Sequence, residues 1–149
     1  MTSGNTNKTQ ADHLRSDAEQ RLEFQHQYTL AGLKTLQLIN GGAILALLTY
    51  AGNGGTADVS NFKVAFALYA AGLVLVTLAY LAAYASQGAY MSDSGIRAIE
   101  YDGMKAVSEK SADEYEAIGN NSVKASVGLV LASLASFIGG SYAAFLGIF

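Results

Sequence analysis

Two stretches of this 149-residue chain, 64–85 and 125–149, carry no charged residue and are each long enough to cross a lipid bilayer. A helix needs about 20 mostly apolar residues to span ~30 Å of hydrocarbon, where every backbone polar group must be satisfied internally. A third stretch, 35–51, is shorter and more polar, and extends back to Tyr28 if Lys34 is admitted as its only charge. The expected fold is an all-α membrane protein with three transmembrane helices, at about 28–51, 62–86 and 122–149. Charged residues make up 14% of the chain, about half the share of a soluble domain.

Residues 1–10 are small and polar and read as a disordered tail, with 11–149 as a single helical membrane domain. Ala11, Leu14, Ala18 and Leu22 recur at three- and four-residue steps. Arg15 with Glu19 and Asp17 with Arg21 form i,i+4 opposite pairs. A cytoplasmic helix over 11–27 is expected to run directly into the first span. Gly52-Asn53-Gly54-Gly55 is a turn composition, so the first two spans form an antiparallel hairpin, with Ser60 or Asn61 as the N-cap of the second. Tyr80, Tyr84 and Tyr90 mark one interface of that span, and Phe62 and Phe66 the other.

Two short amphipathic helices are expected in the charged segment 88–120, packed on the N-terminal helix or lying on the membrane surface. Ile96, Ile99, Gly103 and Val107 have helical spacing, as do Tyr115 and Ile118. Ser111-Ala112-Asp113-Glu114 fits a capping box that starts a new helix, and Gly119-Asn120-Asn121 reads as a stop and turn before the third span.

Lys8, Arg15, Arg21 and Lys34 precede the first span, and Arg97, Lys105, Lys110 and Lys124 lie between the second and third. The connector between the first two offers only Lys63. The positive-inside rule then places the N-terminus and the 88–120 segment in the cytoplasm and the C-terminus outside. No cleavable signal peptide is visible, so the first span is expected to serve as its own signal.

The third span has the strongest packing pattern. Gly128, Ala132, Ser136, Gly140 and Ala144 repeat every four residues, and Ala135, Gly139, Ala143 and Gly147 run beside them. Small residues four apart let helix backbones approach closely. Two adjacent small faces suggest two neighbours, one within the chain and one in a second copy, although packing wholly inside a three-helix bundle is the alternative. In the first span, Asn40 reads as a helix-to-helix hydrogen bond. It could instead join Gln37, Thr49 and Ser133 or Ser136 in lining a wet path between subunits. Lys34 is an intramembrane charge whose stem can snorkel to the cytoplasmic headgroups.

No reaction chemistry is legible. The chain has no Cys, which removes thiolate metal sites and thiol nucleophiles, and no Pro, leaving only Gly to break a membrane helix. His13 and His26 both fall on the N-terminal helix. Glu23-Phe24-Gln25-His26 has Glu-x-x-His spacing, but a di-iron site needs two such copies and two further glutamates. The acidic residues of 93–116 face no basic or His partner arranged for acid–base work. The Asn-x-Ser/Thr sequons at Asn7 and Asn120 fall on segments expected to be cytoplasmic. The chain is therefore expected to be non-enzymatic, with no catalytic, cofactor or metal residues. The net charge of −3 argues against nucleic acid as a partner.

The stretch 24–52, centred on Leu38-Ile39-Asn40-Gly41-Gly42-Ala43, resembles a set of small bacterial membrane proteins. In these, a polar N-terminal helix enters an Ile-Asn-Gly-Gly-Ala membrane hairpin. The resemblance covers roughly a fifth of the chain. It implies a bacterial inner-membrane location and carries no functional residues across. Two functional expectations remain open. One is a homo-oligomer acting as a small pore-forming or membrane-perturbing effector, with 93–116 as a cytoplasmic sensing or docking face. The other is an accessory or scaffold subunit of a larger membrane complex.

Overall fold

With no proline anywhere, only glycine can interrupt a helix in this chain, and in most places it does not. The computed structural model describes residues 3–54, 58–101 and 108–148, with side chains at 27, 29–54, 58–97, 99–100 and 108–147. Among the described residues there are three helices: α1 (Ser3–Gly52), α2 (Val59–Tyr101) and α3 (Ala112–Ile148). All three contain stretches long and apolar enough to cross a membrane, as the charge-free runs require. The chain divides into two compact units, Met1–Thr35 and Leu36–Phe149.

Three expectations about the polar segments change. Helix α1 already begins at Ser3, inside the stretch read as a disordered tail. The 88–120 segment does not fold as separate amphipathic helices. Its two halves are continuations of α2 to Tyr101 and of α3 from Ala112. Gly119-Asn120-Asn121 is not a turn, because α3 runs through it while Gly119 packs under the ring of Tyr90. The stripe Ala11, Leu14, Ala18, Leu22 and both i,i+4 pairs of α1, with His13, Glu23 and His26, lie outside the described side chains. Gly103, Lys105 and Val107 lie outside the described residues.

In Met1–Thr35, the described polar side chains near the apolar end are Lys34, which is exposed, and Thr35, which donates to Ala31 O at 2.9 Å. The second unit holds the three spans together. Its frame is an antiparallel α2–α3 hairpin in which small residues recur every seven positions. On α3, Ala112, Gly119, Ser126, Ser133, Gly140 and Gly147 are all buried; on α2, Ala65, Gly72, Ala79 and Ser86 are buried as well. The two sets meet in one register: Ser133 Oγ donates to Gly72 O at 2.8 Å, and Ser126 Oγ to Ala79 O at 3.0 Å. Two heptads from the first pair, Asp58 N donates to Gly147 O at 2.9 Å. A seven-residue repeat keeps one face toward the partner when two helices coil left-handedly, and small side chains on that face bring the backbones close.

The end of α1 and the starts of α2 and α3 are fixed by local chemistry. The cap of α2 is Asp58, not Ser60 or Asn61. Its carboxylate accepts from Ser60 N at 3.0 Å and from Asn61 Nδ2 at 3.0 Å, which satisfies first-turn donors that the helix cannot. The capping box forms as the spacing predicts: Ser111 N donates to Glu114 Oε2 at 2.8 Å, and Glu114 N donates to Ser111 Oγ at 3.3 Å. At the other turn, α1 stops at Gly52 and Gly54 adopts a φ of +76°, the left-handed conformation that glycine accepts without a Cβ penalty.

Helix α1 joins the hairpin over Leu36–Gly52. Leu47 is buried with Ala65, Tyr69 and Ala143, and Ala43, Ile44, Phe62, Phe66, Phe137 and Ala144 close around them. Tyr69 and Phe137 stack at a tilt, centroids 5.7 Å apart. The outside is inverted relative to a soluble protein. Leu38 is 74% exposed and Leu131 61%, while Asn40 and Ser133 are 0% exposed. Such a distribution matches a hydrocarbon solvent, in which outward leucine costs nothing and outward amide costs several kcal/mol. The chain is a multi-pass membrane protein.

Candidate functional site: a polar node at the bilayer centre

Where the three spans meet, Asn40 of α1, Gly72 of α2 and Ser133 of α3 converge. Ser133 Oγ donates to Gly72 O and therefore has lone pairs free to accept; Asn40 Nδ2 donates to it at 3.3 Å. Asn40 Nδ2 also donates to Leu36 O at 3.0 Å, one turn back. Because Leu36 O is an acceptor, the amide nitrogen must lie on that side and the amide oxygen on the other. Asn40 Oδ1 points at Gly72, where a Cβ would overlap it. It is buried and has no hydrogen-bond partner.

The aromatic residues place this node at mid-depth. Exposed Tyr142 lies about 14 Å along α3 from Ser133, and exposed Tyr84 about 18 Å along α2 from Gly72, at 1.5 Å per residue. Together these approximate the ~30 Å of hydrocarbon between two interfacial belts. Helix α2 has 43 residues and α3 has 37, about 65 and 55 Å. Their Asp58–Gly147 ends are flush, so both project from the bilayer at the opposite end.

That projecting hairpin is closed by a charge cluster. Arg97 Nε donates to Asp93 Oδ1 at 2.7 Å, and Nη2 donates to Asp113 Oδ1 at 3.0 Å and Glu116 Oε2 at 2.9 Å. One guanidinium thus ties α2 to α3 in water, where such pairs are individually weak. Two tyrosine clasps repeat along the seam. Tyr69 lies against Gly140 and its hydroxyl donates to Ser141 Oγ at 3.0 Å, since Ser141 donates in turn to Phe137 O. Three heptads on, Tyr90 lies against Gly119 and donates to Asn120 Oδ1 at 2.8 Å.

The small residues of the third span divide by face. Gly140 and Ala143 are buried, Gly139 and Ala144 are half-buried, and Ser136 is half-buried. Gly128, Ala132 and Ala135 are exposed. Of the polar residues of the first span, Asn40 makes the helix-to-helix bond, Gln37 is half-buried, and Thr49 is exposed with its hydroxyl donating to Leu45 O at 2.8 Å. Sequence reasoning missed Gly72, Tyr69 and Tyr90 as packing residues; the seven-residue spacing of Gly119, Ser126, Ser133 and Gly140 was the signal available. Among the described residues, no group of His, Asp and Glu side chains converges to hold a metal ion. The chain matches no protein-family description, no curated protein and no solved structure.

Proposed function

We propose that this is a non-enzymatic inner-membrane protein that self-associates in the bilayer through the outward face of α3, as a small pore-forming or membrane-perturbing effector. The observation that carries this reading is the exposure of Gly128, Ala132 and Ala135. The intrachain seam takes up Gly140 and Ala143, yet leaves a second small-residue face open to close approach by another helix. Three short spans offer little enclosed volume, so any conduction requires several copies. By the positive-inside rule the projecting α2–α3 tip lies in the cytoplasm and the Asn53–Gly54 turn outside. The tip, with its carboxylates around Arg97, is the surface available to a cytoplasmic stimulus or protein partner. The competing role is an accessory or scaffold subunit, in which the same α3 face packs on a foreign helix.

Membrane potential during induced expression separates these readings, with Ala132→Leu as the control. Gly140 is unsuitable as a control because it packs against Tyr69 of its own chain. Rapid depolarisation that Ala132→Leu abolishes is the expected result. An unchanged potential, with inserted wild-type protein co-purifying with a stoichiometric partner, would favour the accessory role instead.

A further inference from the structure

Among the described residues of the α2–α3 hairpin, no buried side-chain polar atom lacks a partner. Ser133 and Ser126 each donate to a carbonyl of α2, and both tyrosine hydroxyls reach α3. Asn40 is different. Its nitrogen has two acceptors, but its oxygen, on a side chain 0% exposed at mid-bilayer depth, has no donor. Gly72 offers it only a Cα–H, a weak donor. The hairpin cannot supply the missing N–H, because the residues around Oδ1 present a glycine backbone and a hydroxyl whose proton is already donated.

A second carboxamide can supply it. Two Asn side chains related by a two-fold axis exchange both N–H···O bonds, so that each oxygen and each nitrogen is satisfied. We propose that Asn40 is a two-position latch: in the single chain it rests on Ser133, and in the assembled protein it pairs with Asn40 of a second copy. Gly41, beside it, has open space at its Cβ position, so a second helix can approach α1 closely there. The inference rests on the self-association proposed above and adds to its α3 contact a second contact, through α1, that Asn40 regulates. The Ser133 contact, at 3.3 Å, competes with assembly; releasing the amide from it promotes assembly.

Opposed effects of two variants test the latch. Ser133→Ala removes the interhelical one of the two acceptors of Asn40 Nδ2 and leaves Gly72 O in its helical bond, whereas Asn40→Leu removes the amide while keeping its branched shape. Energy transfer between donor- and acceptor-labelled copies in phosphatidylethanolamine/phosphatidylglycerol vesicles reads the association, with the label on Asn53→Cys in this Cys-free chain. The latch predicts association about fivefold tighter for Ser133→Ala and about fivefold weaker for Asn40→Leu, the size of one interhelical amide bond in lipid. Gly72→Ala, which displaces the amide by another route, should act like Ser133→Ala. An Asn40 that serves only as an intrachain clasp would make all three variants shift association the same way, and that result overturns the inference. If Ala132→Leu abolishes association while the Asn40 and Ser133 variants move together, self-association stands and the latch falls. If wild type and Ser133→Ala are both monomeric at every protein-to-lipid ratio, both fall.

Discussion

Gly72→Ala should destabilise the protein by about 1–2 kcal/mol, although alanine is the better helix former. The added methyl occupies the position of the Asn40 amide, and the amide is held on its other side by Leu36 O and Ser133. Overpacking a closed site costs about 1–3 kcal/mol, and losing the Asn40–Ser133 bond adds about 0.6 kcal/mol. Helix propensity returns about 1 kcal/mol, which is too little to reverse the sign. Gly88→Ala is the internal control: Gly88 is exposed in the same helix with nothing near its Cβ position. It should be neutral or slightly stabilising. Chemical denaturation in detergent, followed by helix content, measures both, and equal effects of the two substitutions would remove Gly72 from the node.

Gly140→Leu should cost more, about 3 kcal/mol. A Cβ alone at 140 would stand 2.9 Å from Tyr69 Cε1 and 3.0 Å from Cδ1. The Tyr69 ring cannot retreat, being 5% exposed and wedged beside Phe137. A leucine must therefore part α2 from α3 at the seam, breaking the Tyr69–Ser141 bond and opening the cluster around Leu47 and Ala65. Overpacking of this kind lies at the upper end of its usual range. Ala132→Leu, on the exposed face of the same helix, should leave the stability of the single chain within about 0.5 kcal/mol. Thermal unfolding of the two variants in detergent gives the comparison; a wild-type-like Gly140→Leu would show that the seam does not lie where the register puts it.

How far these features could be read in advance follows from helix geometry. Membrane spans were legible because charge-free length is a nearly sufficient signal. The capping box at Ser111 was legible because its two hydrogen bonds are local. The faces of α3 were not separated by the four-residue pattern, since each step of four turns about 40° around a helix. From Gly128 to Ala144 the pattern therefore sweeps from the exposed side into the seam. A step of seven drifts only about 20°, and following Gly119, Ser126, Ser133 and Gly140 finds the buried face directly. The stop at Gly119-Asn120-Asn121 failed for a tertiary reason: the glycine makes room for Tyr90, which also holds Asn120. Asp58 was overlooked as a cap although its capping bonds, to Ser60 and Asn61, are local; only its backbone bond to Gly147 O, far away in sequence, lay beyond local reading.

Subunit counting tests the self-association account most directly. Copies carrying one fluorophore at Asn53→Cys are reconstituted sparsely in planar bilayers, and bleaching steps are counted spot by spot. The account predicts multi-step spots for wild type and a shift to single steps for Ala132→Leu at the same density. Single-step spots for wild type across the accessible range of densities would contradict it.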